Sequence, residues 1–88
     1  MKKLFILLFS LSLSFTIQAD FSSGMHDYKK GDFDSAFQEW FTLAEQKNHA
    51  VSQYNIAKMY KNGKGVKQSK KQALKWFKKA YSQGETFA

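Results

Sequence analysis

The apolar residues of the chain fall into helical patterns, and the clearest lies between residues 33 and 44. Apolar side chains recur there three and four positions apart, which places them on one face of an α-helix. These positions are Phe33, Ala36, Phe37, Trp40, Phe41 and Ala44. Asp32 precedes the pattern and is suited to cap the helix N-terminus. The spacing therefore predicts an amphipathic helix whose apolar face contains a tryptophan.

A second amphipathic helix is predicted from about residue 70 to residue 83. Its apolar stripe follows the same spacing of three and four residues. The stripe consists of Ala73, Trp76, Phe77, Ala80 and Tyr81. Ser69 and Gln72 fit a capping box at its start, and Gly84 suits the left-handed position that ends a helix.

Two further helices complete the predicted set. Residues 50–61 place several apolar residues on one face, and Asn62-Gly63 follows them as a stop signal. Residues 21–30 form a shorter helix with Gly31 as its terminator. The apolar positions of these two helices are Ala50, Tyr54, Ile56, Ala57 and Tyr60, and Phe21, Gly24, Met25 and Tyr28. The chain has no proline to interrupt them, so an all-α fold is predicted.

The two halves of this pattern repeat each other. Trp40 and Trp76 are 36 residues apart, and so are Asn48 and Gly84, at positions where the chain is expected to reverse. Upstream, Tyr28 and Tyr60 are 32 residues apart. The difference of four residues is explained by an insertion in the second turn, residues 62–68. A period in this range predicts two stacked helical hairpins.

The second half resembles a Sel-1-like repeat, a family related to the tetratricopeptide repeats. The resemblance covers residues 48–84 and rests on Tyr54, Asn55, Tyr60, Gly63, Gly65, Val66, Ala73, Trp76, Ala80 and Gly84. The sequence departs from the family pattern at Ala57, Ser69 and Phe77. The resemblance implies an α-solenoid of two helix-turn-helix units, with residues 20–48 as a degenerate unit and 49–84 as the repeat. Residues 85–88 then begin an incomplete third unit.

Residues 1–19 are a predicted signal peptide rather than part of the helical units. Two lysines precede an apolar stretch over residues 4–17, and Ala19 is a small residue at the expected cleavage position. A retained anchor and a buried helix are the alternatives, but ~14 residues of helix span only ~21 Å. That is shorter than the ~30 Å of a bilayer core. Cleavage predicts an exported, periplasmic or secreted protein with no transmembrane segment.

Charge is distributed unevenly along the chain. Residues 20–57 hold three lysines and six acidic residues, whereas residues 58–88 hold nine lysines and one acidic residue. A basic face is predicted on the last helix, opposite its apolar stripe. It consists of Lys71, Lys75 and Lys78, with Lys79 at its edge. An anionic polymer or lipid is one partner that would fit it, although a general bias toward lysine explains the same composition. Nucleic acid is disfavoured because the chain lacks arginine.

Candidate chemistry is sparse, so no catalytic, metal-binding or cofactor-binding residue is predicted. The chain has two histidines and no cysteine, which is too few ligands for a zinc site. The sequence Gly63-Lys64-Gly65 lacks the Gly-Lys-Ser/Thr ending of a phosphate-binding loop. A structural turn explains its glycines.

The resemblance implies an adaptor role, so the predicted function is that of a small exported module that binds another protein, without catalysis. The resemblance implies an inner surface lined by the first helix of each unit. The residues predicted to face outward there are Ser52, Asn55, Met59 and Asn62, with Ser23 and Asp27 as rough equivalents in the first unit. The side of the last helix around Trp76, Phe77 and Tyr81 is expected to remain open. Self-association is one way to cover that C-terminal end.

Overall fold

The computed structural model describes residues 20–84, which form four α-helices and no strand within that range. The helices are α1 (Phe21–Lys30), α2 (Phe33–Gln46), α3 (Ala50–Asn62) and α4 (Lys70–Tyr81). Each helix packs on the next one in the chain. The all-α repeat architecture is thus confirmed. The predicted signal peptide at residues 1–19 and the start of a third unit at residues 85–88 lie outside the described residues.

Helix boundaries follow the signals in the sequence closely. Asp32 Oδ1 accepts a hydrogen bond from Ser35 N at 3.3 Å, which caps α2. Gly31 and Gly63 end α1 and α3 in the left-handed conformation, with φ of 86° and 69°. Of the predicted boundaries, that of α4 differs most, because this helix ends at Tyr81 rather than residue 83.

The capping box predicted for α4 forms only in part. Ser69 Oγ accepts a hydrogen bond from Gln72 N at 3.1 Å, as expected of an N-cap. The backbone N–H of Ser69 donates to the carbonyl of Tyr60 at 2.9 Å instead of to the Gln72 side chain. The start of α4 is therefore tied directly to α3.

Trp40 is the centre of the first hairpin and is 3% exposed. Its indole Nε1 donates to the carbonyl of Phe21 at 3.2 Å. The rings of Phe21 and Tyr28 stack on the indole at centroid distances of 5.5 and 5.7 Å. Gly24 makes this approach of α1 to α2 possible, because a Cβ at that position would overlap the indole.

Trp76 occupies the equivalent place in the second hairpin and is 4% exposed. Phe41 of α2 packs edge-on against its ring at 5.7 Å. The ammonium of Lys79 lies 4.8 Å from the ring centroid. Both tryptophans are therefore buried, so Trp76 itself does not contribute to an open side, whereas Phe77 is only partly buried. Tyr81, predicted in the apolar stripe, is instead 48% exposed at the end of the helix.

Gln53 is a fully buried polar residue that joins three parts of the chain. Its Nε2 donates to the carbonyl of Ala44 at 3.1 Å and to Oδ1 of Asn48 at 2.9 Å. Its Oε1 accepts from Nε2 of Gln83 at 2.8 Å. Because both polar atoms of the Gln53 side chain are hydrogen-bonded, Gln53 links the end of α2 to the end of α4 without an unsatisfied buried group of its own.

The long turn between α3 and α4 packs back against the first hairpin. Gly65 has φ of 71°, and a Cβ at this position would overlap the carbonyl of Phe33. Only glycine fits there, because both the backbone conformation and the contact exclude a side chain. The structural interpretation of Gly63-Lys64-Gly65 therefore accounts for its glycines.

Within residues 20–84, no helix has the length and apolar character needed to cross a membrane.

Candidate interaction groove

A groove of about 430 Å³ lies between α1 and α3. We call this cavity the groove, and it is lined by Phe21, Met25, Tyr28, Trp40, Val51, Asn55, Lys58, Met59, Asn62 and Lys64. These residues come from the first helix of each hairpin, apart from Trp40 of α2 and Lys64 of the long turn. Its volume lies within the range of ligand-binding clefts in proteins, about 300–1,000 Å³.

The floor of the groove is apolar. Trp40 and Met59 are both almost fully buried there, and Tyr28 is partly buried beside them. Met25 is 37% exposed, so it forms part of the wall rather than the interior position predicted for it. An apolar floor with a few polar groups at its edge is typical of a surface that accommodates an apolar side chain of a partner.

One wall of the groove is a stripe along α3. Its members are Val51, Asn55, Lys58 and Asn62, which lie on one face at spacings of three and four residues. The side-chain amides of Asn55 and Asn62 form no hydrogen bond with any other residue of the range 20–84. Each amide offers both a donor and an acceptor, so each can bind a peptide group of a partner.

Two lysines line the groove, Lys58 within this wall and Lys64 in the long turn. Lys64 Nζ lies 5.6 Å from the ring centroid of Tyr28 and 5.0 Å from that of Phe33. Lys58 Nζ lies 5.0 Å from the ring centroid of Tyr54. A cation over an aromatic face is held in place without losing its charge. No acidic side chain lines the groove, so its electrostatic character is positive.

Three of the four contact residues predicted in the second unit line the groove, and the fourth is buried elsewhere. Asn55 and Asn62 line the groove. Met59 also lines it but is only 2% exposed, so it belongs to the floor. Ser52 is fully buried, and its backbone N–H donates to Nδ1 of His49 at 3.2 Å. The prediction that Ser52 and Met59 face outward is therefore wrong, because α3 is covered by both α2 and α4.

In the first unit, neither predicted residue lines the groove. Ser23 is exposed and Asp27 is partly buried, but the contacts of α1 in the groove come from Phe21, Met25 and Tyr28. The sequence interpretation also missed Val51 and Lys58. Both residues line the groove because they share the i, i+4, i+7 spacing of the stripe on α3. A search for outward polar residues alone does not detect that spacing.

The predicted basic face is a separate surface on α4. Lys71, Lys75 and Lys78 are exposed, and none forms an ion pair with a carboxylate of the described part of the chain. Beside them, Leu74 is 56% exposed. A shallow, almost wholly apolar hollow of about 230 Å³ lies next to it, lined by Lys61, Lys70, Ala73, Leu74 and Phe77.

Both histidines have positions that need no bound ligand to explain them. His49 caps α3, with its Nδ1 accepting from Ser52 N, and His26 is exposed on α1. Across residues 20–84, no three histidine, cysteine, aspartate or glutamate side chains are grouped so as to hold a metal ion.

The architecture defines the class of protein as an all-α helical repeat, built from two hairpins with a groove between their first helices. Residues 50–85 match the family described as the Sel1 repeat, so the second hairpin is similar to a Sel1 repeat. The resemblance inferred from the sequence is confirmed for that unit. Sel1 repeats are non-catalytic modules that mediate protein–protein interaction. No match to the chain was found among curated proteins or among solved structures.

Proposed function

We propose that the chain is an exported, non-catalytic adaptor that binds another protein in the groove between α1 and α3. The groove carries the proposal because it combines an apolar floor with side-chain amides that have no partner among the described residues. Buried polar groups in the core are paired, as Gln53 illustrates. The amides of Asn55 and Asn62 instead lie at a surface where a partner can satisfy them.

Site-specific photo-crosslinking in cells tests this proposal. A photoreactive phenylalanine analogue at position 51 places the reactive group at the rim of the groove. The same analogue at position 26 provides the matched control, because His26 is exposed on α1 and does not line the groove. We expect a discrete adduct with one protein from position 51 alone. Equal labelling from both positions, or labelling only from position 26, would contradict the groove as the binding surface.

Export is proposed from the signal-like residues 1–19, and the start of the helical unit supports it. Asp20 caps α1, with Oδ1 accepting from Ser22 N at 3.0 Å. Its own backbone N–H donates to Oε1 of Glu39 at 3.0 Å. The helical unit thus includes the residue that directly follows the proposed cleavage bond. Mass spectrometry of the protein recovered from the envelope fraction should give an N-terminal Asp20, and an intact Met1 in that fraction would contradict cleavage.

A second candidate function is binding of an anionic polymer or lipid through α4. The observation that favours it is the exposed Leu74 beside Lys71 and Lys78, because apolar and cationic groups together suit a lipid interface. Sedimentation with vesicles of anionic or zwitterionic lipid tests it. We expect binding to anionic vesicles only, and loss of that binding in Lys71→Gln/Lys75→Gln/Lys78→Gln. Retained binding in this variant would contradict a role for the basic face.

A further proposal is that the partner is a second copy of the chain, bound through the C-terminal end. Tyr81 is a large apolar residue exposed at the end of α4, and Leu74 is a second one nearer the start of the same helix. Sedimentation velocity of the purified protein should give a dimer that Leu74→Gln dissociates. A monomer at all concentrations would contradict this proposal.

A further inference from the structure

We infer that the occupant of the groove is an extended peptide segment in which a carboxylate side chain lies next to an apolar one. This inference rests on the proposed function and specifies the chemistry of the partner. Three features of the groove carry it: the two ammonium groups, the spacing of the two amides, and the apolar floor.

The charge of the groove selects for an acidic partner. Lys58 and Lys64 lie on its lining, and neither forms an ion pair with a carboxylate of the described residues. Aromatic rings hold Lys64 on two sides, at 5.6 and 5.0 Å. A cation that is already positioned loses less conformational entropy when a carboxylate binds to it. A basic segment would instead meet two uncompensated positive charges.

The amide spacing fits an extended chain. Asn55 and Asn62 are seven residues apart on one face of α3, which is about 10.5 Å at ~1.5 Å per residue. Three residues of an extended strand cover about 10 Å at ~3.3 Å each. The two amides can therefore bind peptide groups of residues i and i+3 of one partner segment. A helical segment would not suit these amides, because its peptide groups already bond to one another within the helix.

The floor provides the apolar contact. Trp40 and Met59 form the base of the groove, with Tyr28 at one side. Methionine adapts its shape to different side chains, and the aromatic rings offer flat contact surfaces. The Lys64 ammonium lies over Tyr28 at the side of this floor, so a carboxylate that binds Lys64 places the neighbouring apolar side chain of the partner close to the floor.

Selection from randomised peptides tests the inference directly. Three libraries of eight-residue peptides carry the same central apolar residue and differ only in the flanking positions, which hold carboxylates, the corresponding amides, or lysines. Fluorescence polarisation then gives the affinity of the purified protein for the best peptide of each library. We expect the carboxylate peptide to bind most tightly and its affinity to fall with added salt, because exposed charge pairs are screened.

Two kinds of variant separate the roles of the groove residues. Lys58→Gln and Lys64→Gln should each weaken the carboxylate peptide by about three- to five-fold and leave the amide peptide unchanged. Asn55→Ala and Asn62→Ala should lower the affinity for both peptides by the same factor. These substitutions remove contacts to the peptide backbone rather than to the peptide carboxylates. The control Lys71→Gln/Lys75→Gln removes the same kind of charge from α4 and should have no effect.

The outcomes distinguish this inference from the proposed function. If amide or lysine peptides bind more tightly and still lose affinity in Asn55→Ala, the groove binds proteins but the acidic partner chemistry is wrong. If no library binds and position 51 gives no crosslink, the proposed function fails as well. If carboxylate peptides bind but lose affinity only in the α4 control, binding occurs on the basic face and the inference is overturned.

Discussion

The two hairpins place a tryptophan at equivalent positions and support it by different chemistry. Trp40 is enclosed by stacked rings and by a hydrogen bond from its indole to Phe21. Trp76 is enclosed by the edge of Phe41 and by the ammonium of Lys79. The comparison shows that the period of the repeat determines where the large side chain lies, while its surroundings vary between the units.

A second difference lies at the start of the first helix in each hairpin. Phe21 and Gln53 are 32 residues apart and therefore occupy equivalent positions. Phe21 supports its hairpin through ring contacts, whereas Gln53 does so through three hydrogen bonds to the ends of α2 and α4. The same backbone arrangement is thus stabilised by an aromatic contact in one unit and by a polar cluster in the other.

The largest expected effect comes from removing either indole. Trp40→Ala and Trp76→Ala should each lower the free energy of unfolding by about 3–5 kcal/mol, with Trp40 at the upper end because its hydrogen bond is also lost. Urea unfolding followed by circular dichroism measures this. Leu74→Ala is the control, because its side chain is more than half exposed and its loss should cost less than about 0.5 kcal/mol. Equal effects of all three substitutions would contradict the assignment of the core.

The two turns can be compared with a matched pair of glycine substitutions. Gly65→Ala should cost about 2–4 kcal/mol, because it combines a left-handed backbone with an overlap against Phe33. Gly31→Ala should cost only about 1–2 kcal/mol, since its backbone is also left-handed but nothing lies near the added Cβ. Thermal unfolding of both variants gives the difference between their losses of stability. Equal losses would show that the contact of Gly65 with Phe33 of α2 does not restrict the added Cβ.

The polar cluster is tested by replacing its central residue. Gln53→Met keeps the volume but leaves the carbonyl of Ala44 and the Gln83 amide without this partner. We expect a loss of about 1–3 kcal/mol, the cost of unsatisfied buried polar groups. Chemical unfolding measures it. Gln46→Met, at an exposed position on α2, is the control and should be nearly neutral. A neutral Gln53→Met would show that the cluster contributes no net stability.

The smallest effect concerns alkaline pH. Burial raises the pKa of the Tyr60 phenol above its ordinary value. The folded state therefore favours the neutral phenol, and this contribution to stability is full below a pH of about 10 and is lost as the pH rises through the folded-state pKa. The urea midpoint of unfolding should change with pH in the same way for the parent protein and for Tyr60→Phe below that pH. Above it, the midpoint of the parent protein should fall more steeply. Parallel curves throughout would contradict the burial effect.

The sequence predicted the helices and the tryptophan positions because both depend on local periodicity. The reversal at Asn48 was also predicted, and its φ of 52° matches the left-handed Gly84 at 80°. The accessibility of Ser52 and Met59 could not be predicted in this way, since it depends on two helices that cover α3 from different sides. The periodicity of one helix describes a single buried face and does not detect a second one.

The groove was predicted only in part for a related reason. Asn55 and Asn62 could be identified as outward polar residues of the second unit. Lys64 could not, because its place at the groove depends on the long turn folding back over Phe33 and Tyr28. Gln53 was missed as well, since its burial depends on partners in two other segments, Asn48 and Gln83.

The contact of Gly65 with Phe33 has a consequence for how the molecule loses its structure. In an array of repeats, neighbouring units are coupled by the interface between them. Here the helix contact of α2 with α3 is supplemented by a loop that reaches back across the boundary. Opening either hairpin breaks both connections at once, so we expect the two units to unfold cooperatively, with little population of a half-unfolded intermediate.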